Sequence, residues 1–443
     1  MSMTKSTETA IYNQPVKLLQ DLIRFNTTNP PGNEAECIAY ITNLISEAGI
    51  EPIILGKTPA RTNVIGRIKG SGNAAPLLLY GHVDVVTTEN QKWTHPPFAA
   101  EISDGYIWGR GALDMKSGVA MLLAAFLKAK AEGVSLPGDV IFCAVADEEN
   151  TGAYGARFLV EEHAQLFSGV KHALGEFGGF NLNMAGKRMY PIMVAEKQIC
   201  TLKLTFHGRG GHGSMPVHGG AMAKAARALQ LMDRKNLPYH LTQPGKLMID
   251  GIASALGGIP GFVIGQAANP LFADSIIKML GSSADAIFPI LHNTVSPTIL
   301  RGSEKVNVIP SEVSIALDGR MVPGFTPDMM QQEMHDLLGS DFDMEVLEYD
   351  PGPATVNMEL FDMLGKTLQK MDPSGTPIPL VLTGVTDARF FSKLGIQTYG
   401  YTPLQLPEDF SFISTIHAAD ERVPVAAMDF GMQAVFSALQ GAR

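Results

Sequence analysis

Several short segments hold the side chains that could do chemistry. His82-Val83-Asp84 follows the apolar run Leu77-Leu78-Leu79-Tyr80. In a strand, residues two apart point the same way. Asp84 can then accept from one ring nitrogen of His82 while the other binds a metal. Gly109-Arg110-Gly111-Ala112-Leu113-Asp114 is a glycine turn ahead of a long apolar helix, and it presents Asp114 either as a helix cap or as a ligand. Asp147-Glu148-Glu149 ends another apolar run, DVIFCAVA. Three adjacent acids there are costly without a cation. Glu176 lies among glycines at a further strand end, and His417 opens His417-Ala418-Ala419-Asp420-Glu421. His212 sits in the glycine-dense loop from Gly208 to Pro216.

Each segment alone has a plainer reading, as a cap, a solvated acidic turn or an edge histidine. Together, His82, Asp114, Glu149, Glu176 and His417 make an inventory of two histidines and three carboxylates, suited to two divalent ions of the zinc kind. If Asp114 bridges, each ion receives one histidine and one further carboxylate. A pair of ions about 3.5–4 Å apart can polarise a carbonyl and activate water. Glu148, one residue before a ligand, is placed to take a proton from that water and return it to a leaving amine.

The elements that must position these groups read as alternating helix and strand. Helical spacing covers residues 16–25, 33–48, 115–131 and 155–162, and buried strands cover 77–80, 139–146 and 173–174. This alternation indicates an α/β domain with a mixed, largely parallel central sheet, in which functional groups gather past the carboxyl ends of strands. After Glu196 the texture changes to half-buried strands around one amphipathic helix. A smaller α+β domain is expected at 198–320, inserted between catalytic segments 1–197 and 321–443. From Pro323 the alternation resumes, with a helix at 327–338, a strand at 343–347 and a helix at 358–371.

Composition excludes several classes. The chain has 443 residues, with 34 Lys+Arg against 44 Asp+Glu and a net charge of −10. Nucleic acid as a partner needs a basic stripe, which is missing. At 18% charged and 45% apolar residues the chain is not a disordered one. Cys37, Cys143 and Cys200 are too few and too scattered for a disulfide framework and fit a reducing compartment. Met1 to Thr9 is polar, unlike a signal peptide, so the expected location is the cytoplasm. Gly251 to Ala273 carries no charge, but its glycines and prolines argue for a broken, small-residue loop over a membrane span. That stretch could also line an apolar acyl pocket. There is no G-x-S-x-G elbow and no H-E-x-x-H, and neither Gly-Lys-Thr has the upstream glycine of a phosphate loop. Gly208-x-Gly210-x-x-Gly213 is a weak dinucleotide pattern, because Asp233 falls on a helix. The charge is unevenly spread: 11 Lys+Arg against 7 Asp+Glu between Gln198 and Arg320, and 23 against 37 elsewhere.

The segments GHVDVV, W-x-x-x-P-F from Trp93 to Phe98, GRGALDMKSG, DEE followed by GA and GA, GHGSMP and HAADE stand in one order from about Leu79 to Glu421. In these the chain resembles the co-catalytic zinc exopeptidases and amidohydrolases: aminoacylase, acetylornithine deacetylase, succinyl-diaminopimelate desuccinylase, glutamate carboxypeptidase and carboxypeptidase S. The long apolar insertion between Pro244 and Phe288 is most similar to the carboxypeptidase S branch. The resemblance implies a phosphorylase/hydrolase-like catalytic domain and a ferredoxin-like lid that also forms a homodimer. It implies two Zn2+ ions, with Co2+ or Mn2+ as substitutes, one held by His82, Asp114 and Glu176 and the other by Asp114, Glu149 and His417. Glu148 would be the general acid/base, Asp84 would orient His82, and the bond after Asp114 would be cis. His212 would stabilise the oxyanion in the partner subunit's site. Arg320 would clamp the substrate carboxylate, with Asn293 and the Gly384–Thr386 loop as further contacts. Phe177 departs from the family's pattern by separating Glu176 from its glycines. The expected substrates are N-acyl amino acids or short peptides. The alternatives are a carbamoyl or amidine hydrolase of the same architecture, or a zinc-stabilised module without catalysis.

Overall fold

The structure, a computed structural model, describes residues 10–281, 287–353 and 355–441. The polar start, Met1 to Thr9, lies outside them. The chain divides into two compact units. The first comprises the chain up to Val194, Asn357–Leu380 and the chain from Thr386; the second comprises Ala195–Val356 and Val381–Val385.

Among the described residues the sheet of the first unit has nine strands. Its centre is four parallel strands in the order Val140–Val145, Leu77–His82, His172–Gly175 and Gln397–Gly400. The hairpin Ile53–Thr58 and Arg61–Ile68 extends one side with antiparallel pairing. The strands Lys187–Glu196 and Gly375–Leu382 form the other side. The central strands are buried on both faces, as parallel strands must be. Leu78 and Tyr80 point to one layer, where they meet Phe158, Phe167 and Phe391. Gly81 points to the other, and a Cβ there would come within 2.7 Å of Met115. That glycine lets the almost wholly buried helix Lys116–Ala131 lie close on the sheet. Helices Pro15–Arg24 and Val425–Gly441 pack against it. The register pairs His82 with Val145, so both strands end at the same level. The candidate residues follow from those ends.

The second unit is a four-stranded antiparallel sheet in the order Thr294–Arg301, Glu312–Met321, Gln198–His207 and Asp343–Asp350. Helices Ala221–Arg234 and Pro327–Leu338 contribute to its core. Chain order is therefore strand–helix–strand–strand–helix–strand, the ferredoxin-like arrangement. Strict alternation on Gln198–His207 and Glu312–Met321 puts Leu202, Leu204, Ile315 and Leu317 on the helix-covered face.

Two sequence expectations need correction. The segment 321–356 belongs to the second unit, not to a catalytic domain resuming at 321. Strand Asp343–Asp350 pairs with Gln198–His207, with Thr205 opposite Asp343. A local helix–strand pattern cannot say which sheet its strand will join. Gly251–Ala273 is also no loop. It is spanned by helices Gln243–Leu256 and Gly258–Gly265 and the short turn Gln266–Ala268, and helix Ala273–Leu280 follows. Gly257, at φ +63°, ends the first helix, and Gly261 approaches the Ala253 carbonyl where a Cβ would lie 2.2 Å away. The glycines shape a helical hairpin instead of breaking it. Among the described residues no helix is long and apolar enough to cross a membrane.

Candidate metal centre

The five proposed ligands converge at the carboxyl edge of the central strands. His82, Asp114 and Glu176 offer donor atoms within 4.8 Å of one another, as do Asp114, Glu149 and His417. Asp114 belongs to both groups. His82 Nε2 lies 3.1 Å from Asp114 Oδ1 and 3.4 Å from Glu176 Oε2. His417 Nε2 lies 3.1 Å from Asp114 Oδ2 and 3.3 Å from Glu149 Oε2. Each histidine thus faces a different oxygen of the same carboxylate. The bond Asp114–Met115 is cis.

The donor set fits a pair of divalent cations. Glu149 Oε1 and Glu176 Oε1 are buried with no hydrogen-bond partner, an arrangement that costs free energy unless a cation meets them. Two imidazoles and three carboxylates are the ligand types that zinc and its neighbours take.

The electrostatics are those of acids crowded out of water. Burial, reinforced by Glu176, pushes Glu148 well above the usual carboxylate range. Burial and the charge of Asp114 push Glu149 up to about 7. For Asp114 burial is outweighed by hydrogen bonds from His417 and His82, which hold it well below its ordinary value. Hydrogen bonds to Asp114 and Glu149 push His417 up to about 10. Glu148 Oε2 stands 3.9 Å from His82 Nε2, beside the ligands without belonging to either three-residue group.

Asp84 has a wider task than orienting an imidazole. His82 Nδ1 lies 3.0 Å from the Asp84 main-chain carbonyl and 3.6 Å from its carboxylate. The carboxylate instead accepts from the main-chain N–H of Glu148 and of Glu149, each at 3.1 Å, and from Asn29 Nδ2 at 2.8 Å. It holds the turn that carries both the proposed base and a ligand. Asp147, at φ +67°, anchors the same turn. It accepts from Asn29, Arg61, Thr151 and the Tyr154 main chain.

Asn29 and Arg61 stand in no motif of the sequence, and Glu421 shows its role only in the fold. Glu421 is fully buried, bonds Arg110 Nη1 at 2.6 Å, and accepts from the main-chain N–H of Gly111, Leu113 and Asp114. It shapes the turn that presents Asp114. The sequence signal was present in the acid ending HAADE and the arginine of GRGALD; only their pairing was invisible.

The remaining candidates belong to neither three-donor group. His212, Asn293, Arg320 and Gly384 belong to the second unit. His212 is exposed on a short ribbon paired with Val308–Ile309, its Nδ1 2.8 Å from Ser214 Oγ. That pairing makes the glycine loop around it part of a two-stranded ribbon, not a dinucleotide loop. Arg320 directs its Nε and Nη2 to Asp318, at 2.6 and 3.2 Å. Asn293 is buried and engaged at both ends, donating to Glu333 and accepting from the Val322 N–H, each at 2.9 Å. Thr386 is a buried residue of the first unit whose hydroxyl accepts from the Ala388 N–H.

The chain is 26% identical over 370 residues to "Probable carboxypeptidase S-like 2" of Dictyostelium discoideum, covering 79% of this chain and 68% of that one. It is 27% identical over 389 residues to the Homo sapiens "N-fatty-acyl-amino acid synthase/hydrolase PM20D1", covering 85% and 76%. Its fold is similar to that of the M20 family metallo-carboxypeptidase Sso-CP2 from Sulfolobus solfataricus, with a TM-score of 0.69, 17% identity, and 96% and 98% of the two chains covered. The model of "Peptidase family M20/M25/M40" matches residues 78–441, from the strand that carries His82 to the last helix, and the chain belongs to that family.

Proposed function

We propose that this hydrolase cleaves an amide or peptide bond next to a free carboxylate, in N-acyl amino acids or short peptides. The observation that carries the reading is the pair of three-donor groups sharing Asp114, with Glu148 beside them. Two divalent ions held there would supply Lewis acidity to a carbonyl and to water. Zn2+ is the proposed native metal, with Co2+ or Mn2+ as substitutes. Glu148, largely buried and pushed up in pKa, is suited to accept a proton at its carboxylate and pass it to the departing nitrogen. Asp84 and Asn29 hold the turn that aims it.

The second unit is the proposed lid and dimerisation domain. Arg320 is assigned to the substrate carboxylate, with its Nε edge set by Asp318. His212 is assigned to the oxyanion across a homodimer, and Gly384 and Thr386 to backbone contacts. Asn293 is assigned to substrate only if it exchanges one of its internal partners. The edge strand Thr294–Arg301, with Ile299 and Leu300 exposed, is the proposed dimer seam. Three buried free thiols support a cytoplasmic location.

The test is metal content together with turnover on a panel of N-acyl amino acids, dipeptides and their carboxyl-blocked forms. The expected result is two ions per chain and hydrolysis that fails when the carboxylate is blocked. Equal turnover of blocked and free substrates would remove the carboxylate requirement.

A further inference from the structure

Three phenylalanines join the two loops that carry the outer ligands. Phe177 follows Glu176 directly, and Phe180 lies three residues further on. Phe412 begins the short helix Phe412–Thr415, just ahead of His417. Phe180 and Phe412 stack with ring centroids 3.9 Å apart and planes 9° apart. Phe177 meets both edge-on, at 5.8 Å from Phe412 and 6.0 Å from Phe180. Such aromatic contacts contribute roughly 0.5–1.5 kcal/mol each beyond the area they bury.

Phe177 makes these contacts from φ +66°, a backbone region that a bulky side chain seldom occupies. A glycine would take that conformation freely. The strain is held by the surroundings, which points to a use for the ring.

The two loops differ in how else they are fastened. The Glu176 loop is tied by main-chain bonds: Tyr401 N–H to the Gly175 carbonyl, Thr402 N–H to Gly178, and Gly179 N–H to Pro191. Asn181 adds a two-way link to Leu406. The His417 loop is fastened past the histidine, where Asp420 accepts from Thr94 and Glu421 accepts from Arg110 and three main-chain N–H groups, while among the described residues the stretch 412–416 ahead of it makes only local hydrogen bonds. The His417 carbonyl accepts from Gln91 and Arg110, its φ is +59°, and its side chain is half exposed.

We propose that Phe177, Phe180 and Phe412 act as positioning residues, a clasp that hangs the locally bonded stretch ahead of His417 on the firmly fastened Glu176 loop and so fixes the distance between the two metal positions. The clasp rests on the two-metal reading above. Removing it loosens the Asp114–Glu149–His417 position and spares the His82–Asp114–Glu176 position.

The experiment is a Co2+ titration of metal-free full-length protein, followed by visible absorption and calorimetry. Wild type is expected to take up two equivalents. Phe412→Ala is expected to keep the first equivalent unchanged and to bind the second at least about 10-fold more weakly, the usual effect of losing support behind a ligand. Phe177→Gly, which relieves the backbone strain, is expected to show the same selective loss and decides the matter if Phe412→Ala does not fold. Both equivalents bound as in wild type, or both weakened alike, would overturn the clasp. Fewer than two equivalents in wild type would overturn the two-metal reading and the clasp with it.

Discussion

At the scale of single residues the centre separates into groups that touch and groups that hold. Glu148, the proposed base, is the test of the first kind. Glu148→Gln keeps the size and removes the basic oxygen, so kcat is expected to fall by at least about 10²-fold while two metals still bind. Activity near wild type would exclude Glu148 as the base. Glu421 is the test of the second kind. Glu421→Ala strips the buried Arg110 of its carboxylate and three main-chain N–H groups of their acceptor. Breaking a buried pair this way costs about 3–5 kcal/mol, to be read in urea unfolding of the metal-free protein. A loss under about 1 kcal/mol would show that Gln91 and the His417 carbonyl satisfy Arg110 unaided. These two residues also mark how far the sequence was legible. Glu148 could be placed because its neighbours are adjacent in the chain. Glu421 could not, because its partners lie more than 300 residues away, and Asn29 was hidden in the same way from Asp84 and Asp147. Phe177 was noticed as an interruption, and its conformation became visible only with the backbone.

At the scale of elements, apolar periodicity was enough for the helices and buried strands that flank the centre. It missed three strands of the antiparallel margins, though it found the exposed antiparallel strand Asp343–Asp350. The hairpin Ile53–Thr58 and Arg61–Ile68 and the edge strand Thr294–Arg301 went unread because they lack a continuous apolar run. One junction between elements gives a pH prediction away from the metals. Asp372 is buried and bonded by Arg188 and Tyr190 from strand Lys187–Glu196 and by Ser374. Burial pushes its carboxyl up, but bonds from Ser374, Arg188 and Tyr190 outweigh it and hold the pKa at about 2. The unfolded value is about 3.9. The folded pKa is the lower one, so the stabilisation is complete above about pH 4 and is lost as pH falls toward 2. Asp372→Asn should therefore be less stable than wild type at pH 6, with the gap narrowing below pH 4. A gap that stays constant from pH 6 to pH 3 would contradict the assignment.

At the scale of the whole molecule, metal binding and folding must be linked. Cations that bind only the folded state raise stability by about 2.7 kcal/mol at a free concentration one hundred times Kd. Chelation is expected to lower the melting temperature and Zn2+ to restore it. No change on chelation, in protein shown by analysis to have lost its metal, would mean that the ligand cluster is set without the ions. The dimer reading has its own check. Ile299→Lys with Leu300→Lys puts charge on the edge strand and should yield monomers by sedimentation, whereas dimers that persist would move the seam elsewhere. Domain number and the parallel sheet were readable from the alternation of elements. The return point was not, since strand Asp343–Asp350 finds its place through pairing with residues well over a hundred positions earlier.

The order of the ligands along the chain has a consequence in time. His82, Asp114, Glu149 and Glu176 are all made before the second unit, and His417 comes after it. At about 5–20 residues per second, synthesis from Glu176 to His417 takes on the order of ten to fifty seconds. Throughout that interval the emerging polypeptide owns one complete three-donor group and lacks the last member of the other. Chain order therefore sets a schedule: the donors of the His82 position are all made early, but Tyr401, Thr402 and Leu406, which tie down the Glu176 loop, arrive only just before His417, so both groups are fixed in place when the protein is nearly finished.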